Sequence, residues 1–247
     1  MSGHAPFFFA EPKALDAAEL TIQGEDARHL AVVRRASPGD VVHISDGRGT
    51  IVEARLISVA PGAVGAEIVG RTLIPAPTPR VEVHQGLAKG DKVDGVIRHL
   101  VEMGVDGIVV FEAGRSVARW DPGRQAAAAR RWATIAREAA KQSHRAWLPE
   151  LSGPCSVADA AAEGRGLGLV AHPAAGSRLR DVLAEQGAGA ESVWVVVGPE
   201  GGLSDDEVAT FSAAGAVPVS LGPQILRTET ASVVAAALVL QHFGRLG

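Results

Sequence analysis

Cysteine is almost missing. One thiol, Cys155, stands in 247 residues, so no disulfide closes within the chain and no cysteine cluster can hold zinc. One thiol makes no demand for an oxidising compartment. Long apolar runs are missing too. The longest lies near the C-terminus, from Ala231 to Leu240, broken only by Ser232. That is far short of the roughly 20 residues that span a bilayer. The opening MSGHAPFFFAEPK has no basic segment ahead of a long apolar stretch, which argues against a signal peptide, against a membrane partner and for the cytoplasm. No G-x-S-x-G, no G-x-G-x-x-G and no P-loop Lys-Ser/Thr occurs, which argues against a serine hydrolase, a dinucleotide site and a nucleoside triphosphate site. The eight histidines are scattered and form no metal-ligand spacing with Asp or Glu, so no metal is expected.

What is present is the composition of a folded globular protein, 47% hydrophobic and 21% charged, which excludes collagen-like, coiled-coil and wholly disordered chains. The length allows one or two domains with a large core. The formal net charge of −4 gives no global sign of a nucleic-acid partner, but the charge is uneven. Residues 80–150 carry 12 basic and 9 acidic side chains, whereas residues 151–247 carry 5 and 10. From Arg115 to Arg145 eight basic residues, Arg119 among them, face only Asp121 and Glu138, with Trp120, Trp132, Trp147 and His144 interleaved. A local positive field attracts phosphates even on an acidic protein, and planar rings beside it can stack on bases. The competing reading is a solvated helix face with its tryptophans in the core.

Leu73-Ile-Pro-Ala-Pro-Thr-Pro79 is the clearest boundary. Three prolines in five residues propagate neither a helix nor an interior strand. Residues 1–74 and 75–247 are read as two domains on that ground. In the first, Val41–Ser45, Thr50–Ser58 and Ala63–Val69 alternate as strands and Glu25–Arg34 reads as a short helix, together a small β-barrel. In the second, strand-like and helical patterns alternate. Helices are predicted over Asp91–Gly104, Asp121–Ser143, Ser204–Ala214 and Glu229–Phe243, and buried strands over Val81–Gln85, Gly107–Phe111, Leu167–Ala171, Val193–Val197 and Val217–Leu221. That alternation predicts an α/β domain with a parallel sheet.

Ligands of such sheets bind at the carboxyl ends of the strands. Three ends carry unusual loops. Val193–Val197 runs into Gly198-Pro-Glu-Gly-Gly202, whose glycines let backbone approach a ligand. Ser204 and Glu207 then form a capping box for the next helix. Leu221-Gly-Pro-Gln-Ile-Leu-Arg-Thr-Glu-Thr-Ala231 places Arg227 and Glu229 at the start of a very apolar helix, with Thr228 or Thr230 able to cap it. There the charged pair reads equally as an ordinary ion pair. Leu169-Val-Ala-His-Pro173 closes a third strand with His172, which reads more readily as structural than as catalytic. Cys155, in Ser152-Gly-Pro-Cys155, carries no signature and reads as an inert thiol in a loop.

GPEGGLSDDE and LGPQILRTETA together closely resemble the C-terminal motifs of the RsmE family, bacterial 16S ribosomal RNA uridine-N3 methyltransferases of the SPOUT superfamily. The resemblance covers nearly the whole chain. His29-Leu30, Val33-Arg34-Arg35 and Pro38-Gly39-Asp40 are similar to the family's N-terminal basic segment. Lys89-Gly-Asp-Lys92, Glu102-Met-Gly-Val105, Arg115-Ser116-Val117, Gln142-Ser143, Arg145 and His172-Pro173 match later stretches. Two positions depart from the pattern. His4-Ala5-Pro6 stands where the family has an arginine, and His99 where it often has a lysine.

The resemblance implies a PUA-like RNA-binding β-barrel, then a SPOUT domain with a C-terminal trefoil knot, acting as a homodimer on 16S ribosomal RNA or the small ribosomal subunit. It implies S-adenosylmethionine held by Leu169, Ala171, His172, Gly198, Pro199, Glu200, Gly201, Gly202, Leu221, Gly222, Ile225, Leu226, Thr230 and Ala231. Arg227 and Glu229 are the catalytic candidates, and Arg34, Arg35, Lys89, Lys92, Arg115 and Arg145 the RNA-binding ones. Three alternatives stay open. They are a 2′-O-ribose or guanine-N1 methyltransferase, a non-catalytic RNA-binding assembly factor, and a different small-ligand enzyme on an α/β sheet.

Overall fold

The computed structural model describes residues 5–116 and 121–247. His4, Val117, Arg119 and Trp120 of the motifs above therefore lie outside the described residues. The chain forms two compact units, one of residues 1–76 with 140–148, the other of residues 77–139 with 149–247.

The first unit is a five-stranded sheet built from β1 (Phe7–Phe9), β2 (Glu19–Gln23), β3 (Val41–Ser45), β4 (Thr50–Ala60) and β5 (Ala63–Leu73), in the order β1-β3-β4-β5-β2. All pairs are antiparallel except β1 with β3. The alternation read in β4 places Val52, Ala54 and Leu56 in the core while Glu53 and Arg55 face outward, the period-two pattern of a half-buried strand. Leu15, Leu30, Ile44 and Val64 complete that core. The predicted helix of residues 25–34 divides into α1 (Gly24–Arg28) and a π-helical turn, His29–Val33. Val32 and Val33 of this turn are exposed, and Arg35 follows with φ +53°.

Residues 140–148 pack onto the same unit. Lys141 Nζ lies 2.8 Å from Asp26 Oδ1, and Ser45 Oγ donates to the Ala146 carbonyl at 3.0 Å. The Trp147 indole N–H donates to the Ile74 carbonyl at 3.0 Å. No local pattern announces these contacts, because they join positions far apart in sequence.

The second unit is a six-stranded sheet of β6 (Arg80–Gly86), β7 (Gly107–Glu112), β8 (Glu150–Ser156), β9 (Leu167–Ala171), β10 (Ser192–Val197) and β11 (Ala216–Val219). Its order is β11-β9-β10-β6-β7-β8, and every pair is parallel. Of the interior strands, β7, β9 and β10 are apolar almost throughout because helices cover both faces, whereas β6 carries Arg80, Glu82, His84 and Gln85. The helices are α2 (Lys92–Met103), α3 (Pro122–Gln142), α4 (Val157–Glu163), α5 (Leu179–Gln186), α6 (Asp205–Ala213) and α7 (Thr228–His242). Helices α2 and α5 pack against α7, and α4 packs against α6. Phe111, Trp194 and Phe211 fill the core beneath α4 and α6.

Local signals are realised where they were read. Gly104 ends α2 in a left-handed conformation. Ser204 and Glu207 make both bonds of the capping box at α6. Cys155 differs from the sequence reading, since it sits in strand β8 and not in a loop. Burial, with Glu163 and Asp159 nearby, pushes its thiol up to about 11, so at neutral pH it stays protonated and unreactive.

The basic block also resolves. Trp132 is 2% exposed and its indole N–H donates to Asp94 Oδ1 at 3.0 Å. Arg131 pairs with the same carboxylate at 2.9 Å. This tryptophan is core, not a stacking platform, as the competing reading holds.

Candidate active site

The carboxyl ends of β9, β10 and β11 open on one cleft of ≈ 640 Å³, within the usual range of small-ligand sites. Three loops wall it, residues 171–174 after β9, 197–203 after β10 and 221–228 after β11. Lys92 from α2, Arg115 and Ala231 of α7 complete the lining. The His172 amide donates to the Val219 carbonyl at 2.9 Å, tying the first loop to β11.

The GPEGG loop lies directly on the end of β6. A Cβ on Gly86 would stand 2.5 Å from Pro199 N and 2.8 Å from the Gly198 carbonyl carbon, so only glycine permits that approach. Gly202 turns the loop toward α6 with φ +69°. In the third loop Ile225 is 86% exposed, an apolar side chain left uncovered at the cleft.

Ala171, His172, Gly198, Pro199, Glu200, Gly201, Gly202, Leu221, Gly222, Ile225, Leu226 and Ala231 meet at this cleft, as does Arg227. Leu169 does not; it is fully buried within β9. Thr230 and Glu229 do not either. They line a neighbouring groove with Asp91, Arg98 and His99 of the α2 side. Helix geometry explains the split, since successive residues at a helix start point about 100° apart.

Arg227 is the N-cap residue of α7 and is exposed. Among the described residues it makes no ion pair with Glu229. Lys92 instead holds the carboxylates. Its Nζ lies 2.8 Å from Glu200 Oε1 and 3.7 Å from Glu229 Oε2. The hydrogen bond it donates to Glu200 raises the Lys92 ammonium above its ordinary value, against repulsion from Arg227. Burial alone would raise the Glu200 carboxyl, yet the bonds from Lys92 and from backbone amides hold it below the usual carboxylate range. One of those amides is that of Lys89, 3.2 Å from Glu200 Oε1. Glu229 Oε2 is buried with no hydrogen-bond partner. Arg115 reaches back to the carbonyls of Gly201 and Leu203 at 3.4 and 3.3 Å. Arg34, Arg35 and Arg145 belong to the other unit.

Sequence reasoning missed a buried polar set beneath the cleft. Gln85, Thr228 and Ser232 are hydrogen-bonded to one another, and Thr228 does not cap α7 but donates to the Gly198 carbonyl at 2.6 Å. The signal was a glutamine near the carboxyl end of a central strand, which must find partners when buried. Among the described residues no group of three or more His, Cys, Asp or Glu could hold a metal ion, and no helix is long and apolar enough to cross a membrane.

The RNA methyltransferase domain family matches residues 75–240, and the RNA methyltransferase PUA domain family matches residues 22–69. The ribosomal RNA small subunit methyltransferase E of Mycobacterium bovis is 36% identical, covering 95% of this chain and 91% of that one. Its Bacillus subtilis namesake is 30% identical, covering 91% and 90%. Among solved structures, the ribosomal RNA small subunit methyltransferase E of Neisseria gonorrhoeae bound to S-adenosyl methionine superposes with a TM-score of 0.84 at 27% identity, covering 96% of this chain and 98% of that chain. A PUA domain followed by an α/β unit with three loops at one cleft defines an RNA methyltransferase. The chain belongs to the ribosomal RNA small subunit methyltransferase E family.

Proposed function

We propose that the protein transfers the methyl group of S-adenosylmethionine to N3 of one uridine in 16S ribosomal RNA of the small subunit. The observation that carries this reading is the meeting of the three loops at one cleft with Arg227 on its lining. The residues present fit the cofactor. Glycine backbone of the GPEGG loop accepts a close ligand, and Leu226 with exposed Ile225 offers apolar surface to a ring. When bound, the cofactor supplies a methyl group on a sulfonium, ready for in-line displacement. The chain's own work is to align the attacking nitrogen with it and to exclude competing geometries.

Uracil N3 carries a proton at neutral pH, so the base becomes an effective nucleophile as negative charge develops on it. Arg227, with no carboxylate partner among the described residues, is the group that stabilises that charge. Glu229 faces the neighbouring groove and pairs with Lys92, so we assign it the positioning of that lysine beside the cleft, not contact with the N3 proton. Lys92 holds Glu200 and Glu229 together, and its role is read as internal as much as RNA-facing.

Arg34 and Arg35 in the PUA-type unit, with Lys89, Arg115 and Arg145, are assigned to RNA phosphates. Neutral replacement of any one is expected to lower the salt slope of RNA binding by about one; an unchanged slope removes that residue from the contact. The remaining finer features of the reading are a trefoil knot formed by the three loops, a cytoplasmic setting shared with ribosomal RNA, and a homodimer. Helix α7 supports the last. Its Ala231, Ala235, Val239 and Leu240 are buried, yet Val233, Val234 and Ala237 are also only partly exposed and Leu238 is 38% exposed, an apolar surface on both sides. A monomer mass in solution rejects the dimer.

The test of function is transfer of labelled methyl from S-adenosylmethionine to small ribosomal subunits lacking the modification, followed by nucleoside analysis. N3-methyluridine at one position is the expected product. A 2′-O-methylated nucleoside or N1-methylguanosine overturns the specificity, and absence of any transfer overturns the activity.

A further inference from the structure

Two of the three loops at the cleft are joined through a side chain that belongs to neither. Gln85 lies one residue before the end of β6 and is fully buried. Its amide nitrogen donates to the Gly86 carbonyl at 2.7 Å and to Thr228 Oγ1 at 3.0 Å. Its Oε1 accepts from Ser232 Oγ, which also stands 3.0 Å from the Thr228 carbonyl. Thr228 Oγ1 passes its own proton to the Gly198 carbonyl at 2.6 Å.

Both amide protons and the amide oxygen of Gln85 are engaged, so the side chain has one orientation. Thr228 has a single proton, committed to Gly198, and therefore accepts from Gln85. Each bond polarises the next, and removing one member leaves buried groups unsatisfied. The chain of bonds runs from a central strand, through the first residue of α7, to the first residue of the GPEGG loop. Thr228 is also the neighbour of Arg227. The strand itself has no packing need for an amide here, because Val81 and Val83, which precede Gln85 on the same face of β6, are ordinary core.

We propose that Gln85 is a positioning residue, which sets the separation of the GPEGG loop from the start of α7 so that the cofactor meets a site already formed. The proposal rests on the reading of the cleft as the S-adenosylmethionine site. Without Gln85 the ligand itself must order the loops, and that cost falls on affinity rather than on the bound complex.

Calorimetric titration of S-adenosylmethionine, with steady-state kinetics, tests this on the full chain. The variants are Gln85→Met, Thr228→Val, both together, and Gln85→Glu. Gln85→Met is expected to raise Kd and the KM for cofactor about tenfold, with kcat at saturating cofactor within about threefold of the native enzyme. The double variant should lose no more than the larger single loss, since one chain is broken only once. If Gln85→Met does not fold, Gln85→Glu, which retains an acceptor for Ser232 but loses the amide donor to Thr228, must show the same rise. A lowered Tm with unchanged Kd, or losses that multiply in the double variant, overturns the proposal while leaving the cleft's assignment intact. Failure of the native protein to bind S-adenosylmethionine overturns the assignment, and the proposal with it.

Discussion

Arg227→Ala is expected to stop methyl transfer while S-adenosylmethionine still binds. Arg227 is exposed, caps α7 through its backbone and makes no side-chain cap bond, so its removal leaves the fold without a buried vacancy. Its guanidinium lies at the cleft, close enough to the Lys92 ammonium to oppose that group's protonation. A preorganised charge aimed at an anion that forms only in the transition state contributes a factor of about 10²–10³ in rate. The loss should therefore appear in single-turnover rate and hardly in cofactor Kd. Arg227→Lys should recover only part, because an ammonium lacks the planar fork. A native single-turnover rate in Arg227→Ala would sink the assignment. The same assay decides Glu229, since Glu229→Gln at full rate at neutral pH removes it from the catalytic machinery.

Gly86→Ala should weaken cofactor binding by about tenfold or more, because overpacking of this kind typically costs about 1–3 kcal/mol. The added methyl would meet Pro199 N at 2.5 Å, Pro199 Cδ at 2.6 Å and the Gly198 carbonyl carbon at 2.8 Å. Two of these three atoms are backbone, so no rotamer change relieves the contact. The GPEGG loop must lift from the strand, and Gly198, which accepts from Thr228, moves with it. Gly95→Ala is the matched control. Its Cβ meets nothing within 4 Å, and alanine favours the helix it occupies. Titration of both variants with S-adenosylmethionine separates the cases. Equal affinities would show that the loop's seat on β6 does not shape the cleft.

Much of this was legible along the chain because the signals are local. The period-two pattern of β4, the continuous apolar run of β10, Gly104 at the end of α2 and the Ser204–Glu207 box each depend on residues within one element. The three loops were legible as candidates because glycine, proline and polar residues interrupt apolar strands at their carboxyl ends. Strand β8 and helices α4 and α5 were not. Glu150–Ser156 carries Gly153 and Pro154 inside a strand and is only partly buried, and α4 and α5 span 7 and 8 residues, too few for a firm period.

The sequence by itself determined the class of fold, the loops that carry chemistry and, through the GPEGG and LRTETA motifs, the family. Tertiary structure decided which side chains share a wall. It set Arg227 at the cleft and Glu229 around the helix from it, gave both carboxylates to Lys92, and buried Trp132 against Asp94. It also placed Gln85 beneath Gly198 and Thr228, 113 and 143 positions further on. Periodicity fixes which face a residue takes within its own element. Only the packing of elements far apart in sequence brings one face to another, and the hydrogen bonds that buried polar groups require then choose the partners.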